Sequence, residues 1–317
     1  MPDAAWVAAR VDEAWALRSP VREAPTTAYR WVYGESDGLP GVVVDLYGAY
    51  AVIQTFVDSV DSLVPWVTGA LHAHTRLLGI LWRRRGEEPR VLWGRRPPSD
   101  LAVEEHGLLF GADLWSGQKT GLYLDQRENR RALAPWCCGQ TVLDCFCYVG
   151  GFALYAARAG AAAITGLDQA AEALQAARRN FRLNDLDPER HDWLAGDCFE
   201  ALERLAREGR RFGVVILDPP SLARDRQSRP AAERAYVRLN RLALGCLEPG
   251  GVLASASCTS QVSPEAFRGT LAEAARLAGR RLLILHEAGQ AADHPVPAHF
   301  PEARYLKFVI GQVLPLV

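Results

Sequence analysis

A chain of 317 residues, of which 49% are hydrophobic and 23% charged, has a globular composition and is long enough for two domains. The formal net charge of −1 excludes a histone-like nucleic-acid binder, and no segment is long and apolar enough to cross a bilayer. The first residues show no signal-peptide pattern, so we expect a cytoplasmic location and, there, seven cysteines in the thiol form. They contain no CxxC pair, so we expect no metal site.

The first 105 residues predict a small α+β domain, because β-rich runs alternate there with helical patterns and turn-forming residues. Its predicted elements, in chain order, are a helix over 4–17, a strand over 29–33, a tight reversal over 34–41, a hairpin formed by GVVVDLYG and AYAVIQTF, a helix over 59–74, and strands in GILWRRR and PRVLWGRR. The Pro97-Pro98 and Glu104-Glu105 pairs mark the predicted end of this domain.

The second predicted domain spans 106–317 and opens with a hairpin over 107–124, followed by a helix that Asp125 caps. From Thr141 onward, strands alternate with helices; the strands are TVLDCF, AAITGLD, HDWLAGD, GVVILDPP, GVLASASC, RLLILHEA and YLKFVIGQVL. This alternation predicts an α/β fold, a doubly wound seven-stranded Rossmann-like sheet preceded by the small α+β domain. Because no helix precedes the last strand, we expect it to insert antiparallel.

Four successive strands of this sheet each deliver an aspartate to their carboxyl end, namely Asp144, Asp168, Asp197 and Asp218. In doubly wound sheets, ligands bind at that edge, and the Gly150-Gly151 pair would let a ligand approach the backbone. Each acid taken alone has a structural alternative, since Asp144 could cap the following helix and Asp168 and Asp197 could be turn residues. The four acids together predict a ligand site.

The nature of the ligand follows from two features of the same strand ends. Asp168 lies about 20 residues beyond the glycines, where a ribose diol is held in nucleotide-binding sheets. The glycines do not form G-x-G-x-x-G, so the pyrophosphate signature of dinucleotide enzymes is missing. The fourth strand ends in Asp218-Pro219-Pro220, which is typical of methyltransferases. The sequence therefore predicts S-adenosylmethionine as the cofactor.

At these residues the chain resembles a known family, the class I methyltransferases that form 5-methylcytosine in large-subunit ribosomal RNA. The matching blocks are TTAYRWVYGESDGLPGVVVDLYG, GQKTGLYLDQRENRR, LDCFCYVGGFALYAARAGA, LDPPSLAR, ASASCTSQVS and AADHPV with YLKFV. Members usually carry an N-terminal PUA domain, and this chain is expected to begin at their middle domain, which contacts substrate RNA. It also has Thr259-Ser260-Gln261 where the family more often has Ser-His-His.

The resemblance implies a set of cofactor-binding residues in a Rossmann-like methyltransferase sheet. Phe146, Tyr148 and Gly150 would line the methionine end, Asp168 would bind the ribose hydroxyls, and Asp197 the adenine amino group. Further residues expected at the cofactor are Asp144, Gln169, Asn184, Cys198, Asp218 and Pro219. The block expected to close over the cofactor contains Lys119, Tyr123, Asp125, Gln126 and Arg127. For Lys119 and Arg127, a surface salt bridge is the alternative.

Methylation of cytosine carbon 5 needs a nucleophile, because that carbon does not attack a sulfonium methyl group directly. A cysteine thiolate that adds to carbon 6 makes carbon 5 enamine-like. Cys258 follows the fifth strand, beside the Asp-Pro-Pro strand, and its residue-based alternative is an inert buried thiol. By resemblance Cys258 is the nucleophile, and Asp218 would hydrogen-bond the base near N3.

Other functions stay open on the residues alone. The same fold can methylate a base nitrogen such as guanine N7, although Ser221 stands where such enzymes usually place an aromatic residue. A small-molecule substrate and a non-catalytic RNA-binding relic are further alternatives. The expected partner is large-subunit ribosomal RNA, with no membrane and no metal, and a homodimer is left open.

Overall fold

Two units make up the chain in a computed structural model, which describes residues 2–84, 86–117, 119–223 and 225–315. The first unit comprises Met1–Arg127 and Ala291–Ala303, and the second comprises Glu128–Gln290 and Arg304–Val317. This division falls after Arg127, whereas the domain boundary predicted from the sequence follows residue 105. Thr120 explains part of this difference, because its hydroxyl donates to Asp45 in the middle of the first unit.

The first unit is built on a five-stranded sheet of order β1-β2-β3-β4-β5. Its elements are α1 (Ala4–Leu17), α2 (Ser19–Glu23), β1 (Ala28–Tyr33), β2 (Val42–Tyr47), β3 (Tyr50–Thr55), α3 (Val64–Leu71), β4 (Gly79–Arg84), β5 (Arg90–Gly94) and the hairpin β6 (Ala102–Glu105) and β7 (Leu108–Gly111). Only β3 and β4 run parallel, because α3 connects them as a crossover. The helix predicted over 59–74 is shorter than expected, since a 3₁₀ turn over Asp58–Leu63 precedes α3.

Apolar faces of α1 and α3 form the core of the first unit. Val11 of α1 and Val67 of α3 are fully buried in one cluster with Trp31 and Ile53 of the sheet. The spacing of Val7, Val11 and Ala14 places them on one face of α1, which is the face that the sequence pattern predicts to be buried.

The second unit contains the predicted seven-stranded sheet, with strand order β10-β9-β8-β11-β12-β14-β13. Its strands are β8 (Thr141–Cys145), β9 (Ala163–Asp168), β10 (Asp192–Ala195), β11 (Phe212–Leu217), β12 (Leu247–Ser257), β13 (Arg280–Ala288) and β14 (Lys307–Pro315). The helices are α4 (Arg127–Leu133), which begins at the division between the units, α5 (Gly151–Arg158), α6 (Ala171–Leu183), α7 (Cys198–Arg207), α8 (Arg229–Gly245) and α9 (Pro264–Leu277). The last strand pairs antiparallel with both neighbours, which confirms the prediction.

Burial on both faces fixes the central strands of this sheet. Every residue of β11 is buried, and Val215 and Leu217 share a cluster with residues of α7, α8 and α9. Helices α5 and α6 contact β8, β9 and β10. A continuous apolar run such as FGVVIL is the pattern expected of a strand covered on both faces. The rigid sheet holds the loops at its carboxyl edge in place.

Candidate active site

The carboxyl ends of the parallel strands meet at one edge of the second unit. Cys145 at the end of β8 is paired with Leu167 of β9 and with Leu217 of β11. Asp168 and Asp218 each follow those partners by one residue, so both leave the sheet at the same level. This register confirms that the strand-end acids Asp168 and Asp218 share an edge.

The loop after β8 has an unusual backbone. Phe146, Tyr148 and Gly150 have φ values of 60°, 47° and 75°, in the left-handed region that most side chains avoid. The Tyr148 amide donates to the Asp168 carboxylate at 2.8 Å, which holds the loop against β9. A Cβ at Gly150 would lie 2.8 Å from the Cβ of Ala177 on α6, so this position requires glycine. Strained backbone of this kind is typical of ligand-binding loops.

Asp168 has a structural role and also keeps hydrogen-bonding capacity for a ligand. Its Oδ2 accepts from the Tyr148 amide and its Oδ1 accepts from the Ala170 amide at 2.9 Å. Each carboxylate oxygen can accept a second hydrogen bond, and the residue is half-buried. The turn role considered for Asp168 is therefore present, and it leaves acceptor capacity for a diol. Gln169 beside it is exposed.

Asp197 lies at the N-terminus of α7, directly after the β10 strand region. Its Oδ1 accepts from the amides of Phe199 and Glu200 at 2.9 and 3.1 Å, which is a helix N-cap. The side chain is exposed, so its second oxygen faces solvent-accessible space. Both the capping role and a ligand role are compatible with this geometry.

Two predicted residues do not present their side chains at this edge. Asn184 is the C-cap of α6, and its amide donates to the Asn180 carbonyl at 2.8 Å. Because α6 begins at the carboxyl edge and runs back along the sheet, Asn184 lies towards the opposite edge. The Cys198 side chain is buried in the core, so only its backbone can meet a ligand.

Asp144 lies inside β8 and is buried, with 1% of its surface exposed. One oxygen accepts from the Ala153 amide in the first turn of α5 at 3.0 Å, which is the capping role considered from sequence. Among the described residues, the other oxygen has no hydrogen-bond partner. Burial raises the pKa of Asp144 to about 8, with a smaller contribution from the negative charge of Asp218. The carboxyl group is therefore mostly protonated at neutral pH.

Cys258 directly follows β12, and its surroundings connect it to the Asp-Pro-Pro loop. The thiol is half-buried and donates weakly to the Pro219 carbonyl at 3.8 Å. The next residue, Thr259, is fully buried, and its Oγ1 lies 2.8 Å from the Tyr236 hydroxyl and accepts from the Leu222 amide at 3.1 Å. This confirms that Cys258 lies beside the Asp-Pro-Pro strand end.

The other thiols are poor alternatives as nucleophiles. None of the seven cysteines forms a disulfide, and five are buried. Burial raises the pKa of Cys137 to about 12 and that of Cys246 to about 11, which suppresses their thiolates. Cys138 is exposed but precedes β8, at the amino edge of the sheet. Cys258 is the accessible thiol at the carboxyl edge.

Comparison with known proteins decides the family. Residues 62–295 match the family model described as S-adenosylmethionine-dependent methyltransferase. This chain belongs to that family. A relative from Shewanella denitrificans, named ribosomal RNA large subunit methyltransferase I, is 37% identical and the match covers 98% of this chain and 81% of the relative. A relative of the same name from Pseudoalteromonas atlantica is 38% identical over 91% of this chain and 75% of its own length.

Solved structures agree on the fold of this methyltransferase. A methyltransferase complexed with S-adenosylhomocysteine superimposes with a TM-score of 0.91 at 24% identity, covering 98% of this chain and 82% of that chain. A Streptococcus mutans structure described as S-adenosylmethionine-dependent gives a TM-score of 0.90 at 23% identity, with the same coverage. At this identity the likeness concerns the fold alone.

The residues at the carboxyl edge of the methyltransferase sheet fit its cofactor, S-adenosylmethionine. The loop over 146–150, with positive φ at three positions, follows β8 at this edge, and the carboxylates of Asp168 and Asp218 follow the neighbouring strands. Within residues 2–84, 86–117, 119–223 and 225–315, no group of three or more His, Cys, Asp and Glu side chains could hold a metal ion. In the same described part of the methyltransferase, no helix is both long and apolar enough to span a membrane.

The predicted closing block, Lys119, Tyr123, Asp125, Gln126 and Arg127, belongs to the first unit of the methyltransferase. Asp125 is the predicted cap of the helix that follows this block. It lies in a 3₁₀ turn and accepts from Lys119 Nζ at 2.7 Å, while that ammonium also lies 4.2 Å from the Tyr123 ring centroid. Gln126 is buried.

Arg127 forms an ion pair that differs from the surface salt bridge considered for it. Its guanidinium is fully buried and donates to both carboxylate oxygens of Asp293 at 2.9 and 3.1 Å. Asp293 also accepts from the Arg30 amide at 2.8 Å. Sequence reasoning did not find Asp293 as the partner, because 166 residues separate it from Arg127.

The protonated state of Asp144 predicts a pH-dependent stability for the methyltransferase. Its pKa is about 8 when folded and near the ordinary value of 3.8 when unfolded, so between these values unfolding releases a proton. Its contribution to the free energy of unfolding should therefore decrease as pH rises from 4 to 8, by up to about 1.4 kcal/mol per pH unit. Urea unfolding of Asp144→Asn should lack this contribution. The matched control Glu172→Gln, at an exposed position of α6, should retain the wild-type slope.

Proposed function

We propose that this methyltransferase acts on carbon 5 of cytosine in large-subunit ribosomal RNA, with Cys258 as the nucleophile. The names of relatives at 36–38% identity support the RNA substrate. The observation that carries the chemistry is the Cys258 thiol, which is accessible and 3.8 Å from the Pro219 carbonyl of the Asp-Pro-Pro loop. A methyltransferase that modified a base nitrogen would have no need of a thiol at this place.

The chemistry follows from the weakness of carbon 5 as a nucleophile. The Cys258 thiolate adds to carbon 6, and the electron pair of the C5–C6 double bond becomes available at carbon 5. When bound, S-adenosylmethionine would supply the methyl group as an electrophilic sulfonium, and S-adenosylhomocysteine would be the leaving group. A base then removes the carbon 5 proton, and the sulfur–carbon 6 bond breaks to return the thiolate.

We propose that Asp218 holds the base during these steps. It leaves β11 directly before Pro219, whose carbonyl contacts Cys258, and it is half-buried. In our proposal its carboxyl group hydrogen-bonds the cytosine near N3, where charge develops when the thiolate adds to carbon 6. The target base must be flipped out or already single-stranded to reach this site.

We assign the cofactor contacts to the strand ends described above. Asp168 binds the ribose hydroxyls, Asp197 the adenine amino group, and the loop over 146–150 the methionine end. Asp144, Gln169 and Pro219 complete the proposed set in this unit.

Asp168 offers a direct test of the cofactor assignment. Asp168→Ala removes hydrogen bonds to a charged acceptor, each of which contributes about 1.5–3 kcal/mol. We expect S-adenosylhomocysteine to bind roughly 10- to 100-fold more weakly in isothermal titration calorimetry. Asp192→Ala is the matched control, because Asp192 is exposed at the amino end of the neighbouring strand β10. Equal binding by wild type and Asp168→Ala would contradict the assignment.

The first unit carries groups that suit RNA, which supports its proposed role as the RNA-binding domain. The Arg96 guanidinium lies 3.9 Å from the ring centroid of Trp115, and those of Arg84 and Arg90 lie 5.7 and 5.9 Å from that of Trp82. Trp93 on β5 is exposed. Arginine with exposed aromatic rings binds phosphates and stacks on bases. A homodimer and a cytoplasmic location stay predictions.

A methyl-transfer assay tests the proposed function. Purified protein, S-adenosylmethionine with a tritiated methyl group and unmodified large-subunit ribosomal RNA are incubated, and the RNA is digested to nucleosides. We expect the label in 5-methylcytidine. Label in another nucleoside would contradict the cytosine mechanism, and cofactor binding without transfer to RNA would contradict the RNA substrate.

A further inference from the structure

A buried lysine lies beside the turn that carries Cys258. Lys307 begins β14 and is paired with Ser257 across the antiparallel register of β12 and β14. Only 3% of its surface is exposed, although lysine is among the residues least often buried. Such a residue calls for a specific partner or role.

The hydrogen bonds of Lys307 fix its ammonium group at this turn. Nζ donates to the Thr259 carbonyl at 2.6 Å and to the Tyr305 carbonyl at 2.9 Å. Thr259 directly follows Cys258, and its own side chain is held by Tyr236. The positive charge is therefore attached to the backbone of the turn that presents the thiol.

The electrostatic balance around Lys307 involves the thiol. The pKa of Lys307 is lowered to about 8, chiefly by burial; Cys258 opposes this shift, and Arg304 contributes to it more weakly than burial does. At pH 7 the ammonium form still predominates, because the pH is below this pKa. The other titratable groups around the turn are Tyr236 of α8 and Asp218 of the Asp-Pro-Pro loop.

We propose that Lys307 is a positioning residue that stabilises the thiolate form of Cys258 and so prepares it for attack on the base. This inference rests on the proposed function. A fixed positive charge beside a thiol favours ionisation, as in other reactive cysteines. During the reaction the sulfur electron pair forms the bond to carbon 6 and later returns to sulfur when that bond breaks. Lys307 keeps its proton throughout. Its positive charge stabilises the negative charge of the thiolate before the sulfur adds to carbon 6 and after the sulfur–carbon 6 bond breaks.

Alkylation of the full-length protein tests this role without RNA. The rate of iodoacetamide reaction at Cys258 is measured against pH by peptide mass spectrometry, and the exposed Cys138 of the same molecule is the internal reference. In the wild type, the midpoint for Cys258 should lie below that for Cys138. In Lys307→Met the Cys258 midpoint should rise and its rate at pH 7 fall roughly tenfold, with Cys138 unchanged. Lys307→Arg should restore most of the rate.

An unchanged Cys258 midpoint in a folded Lys307→Met protein, with wild-type circular dichroism, would overturn the proposal. If that variant does not fold, the wild-type measurement tests the proposal. A Cys258 alkylation midpoint equal to or above that of Cys138 would also overturn the proposal. The nucleoside assay separates the two proposals, because it reports the methylated atom independently of thiol reactivity.

Discussion

Cys258→Ala should lose at least about a thousandfold in the rate of methyl transfer to RNA, because it removes the group that activates carbon 5. The loss should appear in kcat. Cofactor affinity should stay at the wild-type level, since the sulfur contacts the base and the Pro219 carbonyl in our account. Nucleoside analysis of RNA methylated under single-turnover conditions measures this rate.

Cys138→Ala is the matched control for this experiment. It makes the same chemical change at the other accessible thiol, which lies at the amino edge of the sheet, and it should retain wild-type activity. If Cys258→Ala continued to methylate RNA at a comparable rate, the covalent mechanism would be wrong and methylation of a base nitrogen would become the better interpretation.

Asp293→Ala should lower the free energy of unfolding by about 3–5 kcal/mol, the effect expected when one partner of a buried ion pair is removed. Asp293 accepts two hydrogen bonds from Arg127 and one from the Arg30 amide. The substitution removes the carboxylate that accepts two hydrogen bonds from the fully buried Arg127 guanidinium. The segment over 291–303, which belongs to the first unit, would also lose its ion pair with Arg127.

The ionisation of Asp293 indicates the strength of this interaction. Burial alone would raise its pKa, but His294 and Arg127 outweigh burial and hold the pKa well below its ordinary value. The contribution to stability is therefore complete above pH 4 and is lost as the pH falls through the folded pKa. Urea unfolding at pH 7, followed by tryptophan fluorescence, measures the neutral-pH effect.

Asp58→Ala provides the comparison for Asp293→Ala in the same unit. Asp58 pairs with Arg84, but 92% of its side chain is exposed, so the loss should be no more than about 1 kcal/mol. Equal destabilisation by the two substitutions would show that burial of the Arg127–Asp293 pair does not matter, contrary to our account.

Local sequence patterns predict much of the second unit. Apolar runs such as FGVVIL and TVLDC have the length and composition of strands covered on both faces, and the structure confirms all seven strands and the antiparallel last one. The helix over 59–74 was predicted too long, because periodicity does not separate a 3₁₀ turn from the α-helix that Pro65 helps to start.

Contacts between distant residues explain what the sequence could not predict. The extension of the first unit to Arg127 depends on pairs such as Thr120 with Asp45, and no local pattern encodes a pairing across 75 residues. The same holds for the ion pair of Arg127 with Asp293, which are 166 residues apart.

The candidate site was predictable at the level of strand ends and less so at the level of individual side chains. Asp168 and Asp218 lie where the strand register demands. The neutral state of Asp144 depends on complete burial, and the position of Asn184 depends on the direction of α6, neither of which a motif reveals. Lys307 lies in the YLKFV block, but its link to Cys258 needed the pairing of β14 with β12.

Trapping the covalent intermediate tests the central claim most directly. In RNA that contains 5-fluorocytidine, carbon 5 carries fluorine in place of the proton. After methyl transfer no proton can be removed from carbon 5, so the sulfur–carbon 6 bond should persist. We predict a complex between protein and RNA that survives denaturation, requires S-adenosylmethionine and maps to Cys258 by peptide mass spectrometry. An enzyme that methylates ordinary RNA but forms no such complex at Cys258 would contradict the account.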